Sequence, residues 1–78
     1  MSDTRTPVHG HRAHVVVHPV VDAAPPFRRV DILGIRVGDA YHLDDVVEFV
    51  RRAGLHDTDP LNADLVEWID GGPDIWQA

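Results

Sequence analysis

FRRVDILGIRVGDAYHLDDVVEFVRRAGL, residues 27 to 55, reads as a two-stranded hairpin running straight into an amphipathic helix, with the rest of the chain attached to that unit. A two-residue turn at Leu33-Gly34 pairs Ile32 with Ile35 and Val30 with Val37, gathering four apolar side chains on one face of the ribbon. The same register sets Asp31 opposite Arg36 on the other face. A continuous strand from 27 to 37 splits these apolar residues between both faces, so the pattern favours a hairpin over residues 27–41. Gly34 supplies the positive φ that the turn needs, whereas Leu33 is a poor turn residue and leaves a longer loop or a bulge open.

Beyond the ribbon, Leu43, Val46, Val47, Phe49, Val50 and Ala53 fall on one arc of a 3.6-residue helix, and Asp44, Asp45, Glu48, Arg51 and Arg52 take the opposite arc. Two acids in the first turn and two arginines in the last suit the helix dipole. Glu48 can reach Arg52 at i+4, and Gly54 is placed to stop the helix. A helix over 43–53 is expected, laid across one face of the sheet.

Outward from this unit, Met1 to Arg12 mixes Ser, Thr, Pro, Gly and His without periodicity and reads as a flexible arm over residues 1–12. Residues 13–21, with three consecutive valines, read as a strand, and Pro19 near its end points to an edge position or the end of pairing. Pro25-Pro26 forces extended backbone before the hairpin. On the other side, Asp59-Pro60 supplies an N-cap and a proline at the first helical position, so a second short helix over 60–70 is expected. Leu61, Leu65, Trp68 and Ile69 share one arc of it. The competing reading makes residues 65–69 a fourth strand, but strict alternation then puts Glu67 on the face of Leu65 and Ile69. The fold class is therefore α+β: a three-stranded antiparallel sheet with two helices, in one small domain over residues 13–78.

The wording GDAYHLDDVVEFVRRAGL (38–55), followed by VEWIDGGPDIW (66–76), resembles short uncharacterised actinobacterial proteins of the Streptomyces type. The resemblance covers about two thirds of the chain and brings no activity and no functional residue with it.

A 78-residue domain buries only about 60 % of the surface its unfolded chain exposes. Without cysteine there is no disulfide framework and no thiolate metal site, so stability rests on packing or on a partner. Thirteen acids against seven basic residues, all of them arginine, give a formal charge of −6, unsuited to a nucleic-acid or anionic-membrane binder. The charge is uneven, because residues 41–78 hold nine acids and two arginines while residues 1–40 are nearly balanced. No apolar run approaches the ~20 residues of a membrane span, and the N-terminus is polar and rich in histidine; a cytoplasmic location is the expectation.

Four histidines, His9, His11, His14 and His18, fall within ten residues, and imidazole is a common zinc, nickel and copper ligand. On a strand His14 and His18 stand about 13 Å apart, too far for one ion. That leaves His9, His11 and His14 as a flexible chelate, set against the plainer reading of a polar arm. Asp44, Asp45 and Glu48 cluster three carboxylates, but on the helix face opposite the apolar stripe, where no pocket is expected to shift their pKa. Gly71-Gly72-Pro73 lacks the Lys-Ser/Thr and the following helix of a phosphate loop. Trp76, two residues from the C-terminus, either plugs the domain's own groove or inserts into a partner. The expectation is a non-enzymatic protein-interaction or regulatory module without a cofactor, a homodimer being one form of it. Trp76, Ile75, Phe27, Asp44 and Glu48 are its candidate contact residues. The rivals are a metal-binding or metal-sensing protein using the histidine arm, and an acidic decoy of a basic, nucleic-acid-binding surface.

Overall fold

The computed structural model describes residues 14–55, 59–62 and 64–77. The expected arm over residues 1–12 lies outside them. In chain order the elements are β1 (Val15–Val21), β2 (Phe27–Ile32), β3 (Ile35–Ala40), α1 (Leu43–Arg52) and β4 (Val66–Trp68). The sheet runs β3-β2-β1-β4: the first two pairings are antiparallel, and β4 lies parallel to β1, with Val15, Val16 and Val17 opposite Val66, Glu67 and Trp68.

The α+β class and the hairpin-helix unit stand as expected. Leu33 and Gly34 form the two-residue turn with φ of 53° and 82°, and Ile32 pairs with Ile35 and Asp31 with Arg36. Val30, however, faces Gly38 rather than Val37, because β3 carries one extra residue there. That insertion puts Gly38 under the Phe49 ring of α1, where an added Cβ would lie 2.7 Å from the ring. Val37 is displaced from the core face.

α1 matches its expected span within a residue. Asp45 accepts a hydrogen bond from the Tyr41 amide at 2.8 Å ahead of the first turn. At the other end the amides of Gly54 and Leu55 return to the carbonyls of Arg51 and Val50, the paired bonds of a Schellman stop. Val46 and Val50 are buried, Leu43 and Phe49 half-buried, and Val47 and Ala53 are exposed. The core is a valine layer of Val15, Val17, Val30, Val46, Val50 and Val66 with Ile32 and Ala40, flanked by Phe49, Leu55, Leu65, Trp68 and Trp76.

Two expectations are corrected. The three-stranded antiparallel sheet is a four-stranded mixed one, and the described part of residues 60–70 forms turns and β4 instead of a second helix. In β4 it is Val66 and Trp68 that face inward and Glu67 that faces out, so the alternation that counted against a strand is the one adopted. Pro19 lies past the end of pairing with β4, which stops at Val17, and in a bulge of β1, where the register with β2 shifts between Val17 and Val20. A bulge tolerates the missing amide, which a regular ladder position does not.

Candidate interaction surface

β2 alternates Arg28, Val30 and Ile32 toward the covered face, and Arg28 is completely buried there. Its guanidinium is enclosed by main-chain carbonyls. Nε donates to His18 O at 2.8 Å, Nη1 to Gly72 O and Ile75 O at 2.9 Å each, and Nη2 to Ile69 O at 2.9 Å and Gly71 O at 2.8 Å. All five donors of the side chain are thereby used. Trp68 and Trp76 close the site, with ring centres 5.2 and 5.6 Å from the guanidinium carbon, and meet each other edge to face. Burial lowers the Arg28 pKa, and nearby Asp70 acts in the opposite direction. The tail can converge on one point because Asp70 and Gly71 both take positive φ, 56° and 128°. This arrangement binds the C-terminal segment to the sheet.

The uncovered face of the sheet is polar. His18 Nε2 lies 2.8 Å from Asp31 Oδ2, Arg29 approaches the second Asp31 oxygen at 3.8 Å, and Arg36 Nη2 donates to Asp39 Oδ1 at 2.8 Å. Phe27 on this face meets Tyr41 with ring centres 6.0 Å apart. Ala40, by contrast, is buried on the helix side.

β3 forms one edge of the sheet. Ile35 is 69 % exposed, Leu33 65 % and Val37 42 %, and Tyr41 just beyond the strand is also exposed. Half of the eight exposed large apolar side chains among the described residues thus lie between residues 33 and 41, along this edge and its hairpin tip. Leu33 is unusual in a second respect. A left-handed backbone costs a branched-chain residue about 1–2 kcal/mol relative to glycine, so fold stability favours Gly, Asn or Asp at that turn position.

The expected contact residues are dispersed. Trp76 is half-buried over Arg28, its indole N–H donating to Pro73 O at 2.7 Å, while Ile75 keeps an exposed side chain and gives its carbonyl to Arg28. Asp44 is exposed on α1, and Glu48 pairs with Arg51 and, at 3.0 Å, with Arg52. Those two arginines hold the Glu48 carboxyl below its ordinary pKa. His9 and His11 lie outside the described residues; His14 is exposed, and its carbonyl accepts the Leu33 amide at 2.8 Å. No group of three or more His, Cys, Asp or Glu side chains among the described residues is arranged to hold a metal ion. Nor, among these residues, is any helix long and apolar enough to cross a membrane.

Sequence reasoning missed Arg28, although its place two residues before Val30 on the apolar side of the ribbon was the available signal. It also missed Leu33, Ile35 and Val37 as surface residues. Comparison with known proteins finds no matching family model, curated protein or solved structure.

Proposed function

We propose that this chain is a small non-enzymatic protein-interaction module, and that its contact surface is the β3 edge with the adjoining hairpin tip, which accepts a strand from a protein partner. An edge strand presents unpaired backbone donors and acceptors, the usual basis of strand addition, and apolar side chains flanking it add affinity. The single observation that carries this reading is Leu33, an apolar side chain exposed at a turn position that its own backbone conformation disfavours. Leucine there carries backbone strain and exposes apolar surface, and contact with a partner would offset both. The expected homodimer is one form of this reading.

Photo-crosslinking in the native cells tests it. A benzoylphenylalanine placed at Ile35 is expected to give discrete protein adducts, and the same group at Asp44 on the exposed face of α1 is expected to give none. Equal adduct yields from the two positions, or none from Ile35, would contradict the proposal.

A further inference from the structure

We infer that the strand received at this edge is β3 of a second copy, docked antiparallel about a two-fold axis between Val37 and Gly38, so that Arg36 of each copy faces Asp39 of the other. This rests on the reading that the β3 edge is the contact surface, and it specifies the occupant and the register.

The bulge supplies the first argument. Arg36 is opposite Asp31 and Asp39 is opposite Arg29, so two residues of β2 are spanned by three steps of β3, and Arg36 and Asp39 project from the same face. Along a regular strand, residues three apart point to opposite faces. A regular partner strand would keep step with one of these charges and lose the other. A second copy carries the same extra residue and keeps step with both.

Charge supplies the second. An incoming strand meets a cation at Arg36 and an anion three residues later at Asp39, which bridge each other within the chain, and in the two-fold register another copy presents the opposite charge at each position. A one-residue slip sets Arg36 against Gly38 or Ala40 and Asp39 against Ile35 or Val37, so both charge pairs are lost, and a three-residue slip sets like charges opposite one another. Shape fits the same register. The register sets Val37 against Gly38 and Ile35 against Ala40, pairing each branched side chain with a small residue, and brings the hairpin tip at Leu33 and Gly34 alongside Tyr41 and His42 of the other copy. The four exposed apolar residues between 33 and 41 then border the new strand pair, Ile35 on its helix side and Tyr41 on the other face. The strand itself contains neither proline nor lysine to block pairing. Six residues per strand make a small interface, so association should be weak and concentration-dependent.

Native mass spectrometry over a range of concentrations reads the result, with Arg36→Asp, Asp39→Arg and the wild type compared and circular dichroism confirming that each variant is folded. The wild type should form dimers. Each variant alone places like charges opposite one another twice, and its dissociation constant should rise about tenfold or more. An equimolar mixture of the two should restore dimers, specifically the heterodimer. There the introduced acid at position 36 faces the introduced arginine at position 39, and the native Asp39 of one variant faces the native Arg36 of the other. Both variants lose the internal Arg36–Asp39 bridge and mixing cannot return it, so restoration reports the contact between copies. A wild type that stays monomeric at millimolar concentration, or a dimer indifferent to both substitutions, would overturn this inference. The first of these outcomes, together with crosslinked adducts of another protein at Ile35, would overturn self-pairing and leave the interaction reading standing.

Discussion

The guanidinium of Arg28 lies 5.2 Å from the centre of the Trp68 ring, a contact that joins β2 to β4 across the intervening strand β1. With the five carbonyl bonds, it makes one side chain responsible for the arrangement of the segment from Trp68 to Trp76. Replacing Arg28 by Met strips donors from five carbonyls at once, and each buried group left unpaired costs about 1–3 kcal/mol before water enters. We expect a loss of about 3 kcal/mol or more in urea denaturation, with a changed tryptophan emission from Trp68 and Trp76. Arg28→Lys keeps the charge but offers three donors, and should recover only part of the loss. Added guanidinium at low millimolar concentration should raise the melting temperature of Arg28→Ala and leave the wild type unchanged.

Gly71 and Gly72 are adjacent but predicted to respond differently to alanine. Gly71 sits at φ 128°, and a Cβ there would come within 3.1 Å of the Ile75 side chain; Gly72 has only the Asp74 carboxylate at 3.5 Å. Gly71→Ala should therefore cost more than about 1 kcal/mol, while Gly72→Ala should be nearly neutral. Thermal melts of the two variants side by side check this.

The hairpin and α1 were legible in the sequence because both are local: the Leu33-Gly34 turn fixes its register within a few residues, and the valines of α1 repeat with helical period. β4 was not. Its three residues are too few to show a period, and their partner β1 is far away in the chain, in a parallel pairing that no turn residue announces. The converging tail depends on Arg28, whose role follows from contacts 41 to 47 residues distant. Val37 was placed on the apolar face because the ribbon was read without its bulge, whereas Ile35 pairs with Ile32 as read and is exposed beside the hairpin tip on the edge strand. Leu33 was legible as a poor turn residue, and its exposure required the structure.

Leu33 offers a test in which stability and association move in opposite directions. Leu33→Asn relieves the left-handed strain and should stabilise the dilute monomer by about 1 kcal/mol, since asparagine tolerates that backbone. The same substitution removes an apolar contact at the tip and should weaken dimer formation. Denaturation at low concentration and sedimentation at high concentration separate the two effects.

Glu48 gives a pH dependence whose sign is fixed. Its folded pKa is depressed by the Arg51 and Arg52 side chains, so its contribution is in place above the ordinary glutamate pKa and is lost as pH falls through the lower, folded value. The pair is exposed and the effect small. Glu48→Gln should lower stability slightly at neutral pH, leave it unchanged well below the folded pKa, and so flatten the acid limb of the stability curve, as read from melts between the acid range and neutral pH.

Docking of a second copy of the chain at the β3 edge is tested most directly by amide hydrogen exchange of the wild-type protein at two concentrations. Amides between Ile35 and Ala40 should exchange more slowly in the concentrated sample, while those of β4 and the segment from Ile69 to Trp76 stay unchanged. Exchange in β3 that is independent of concentration, or new protection confined to another part of the chain, would contradict it.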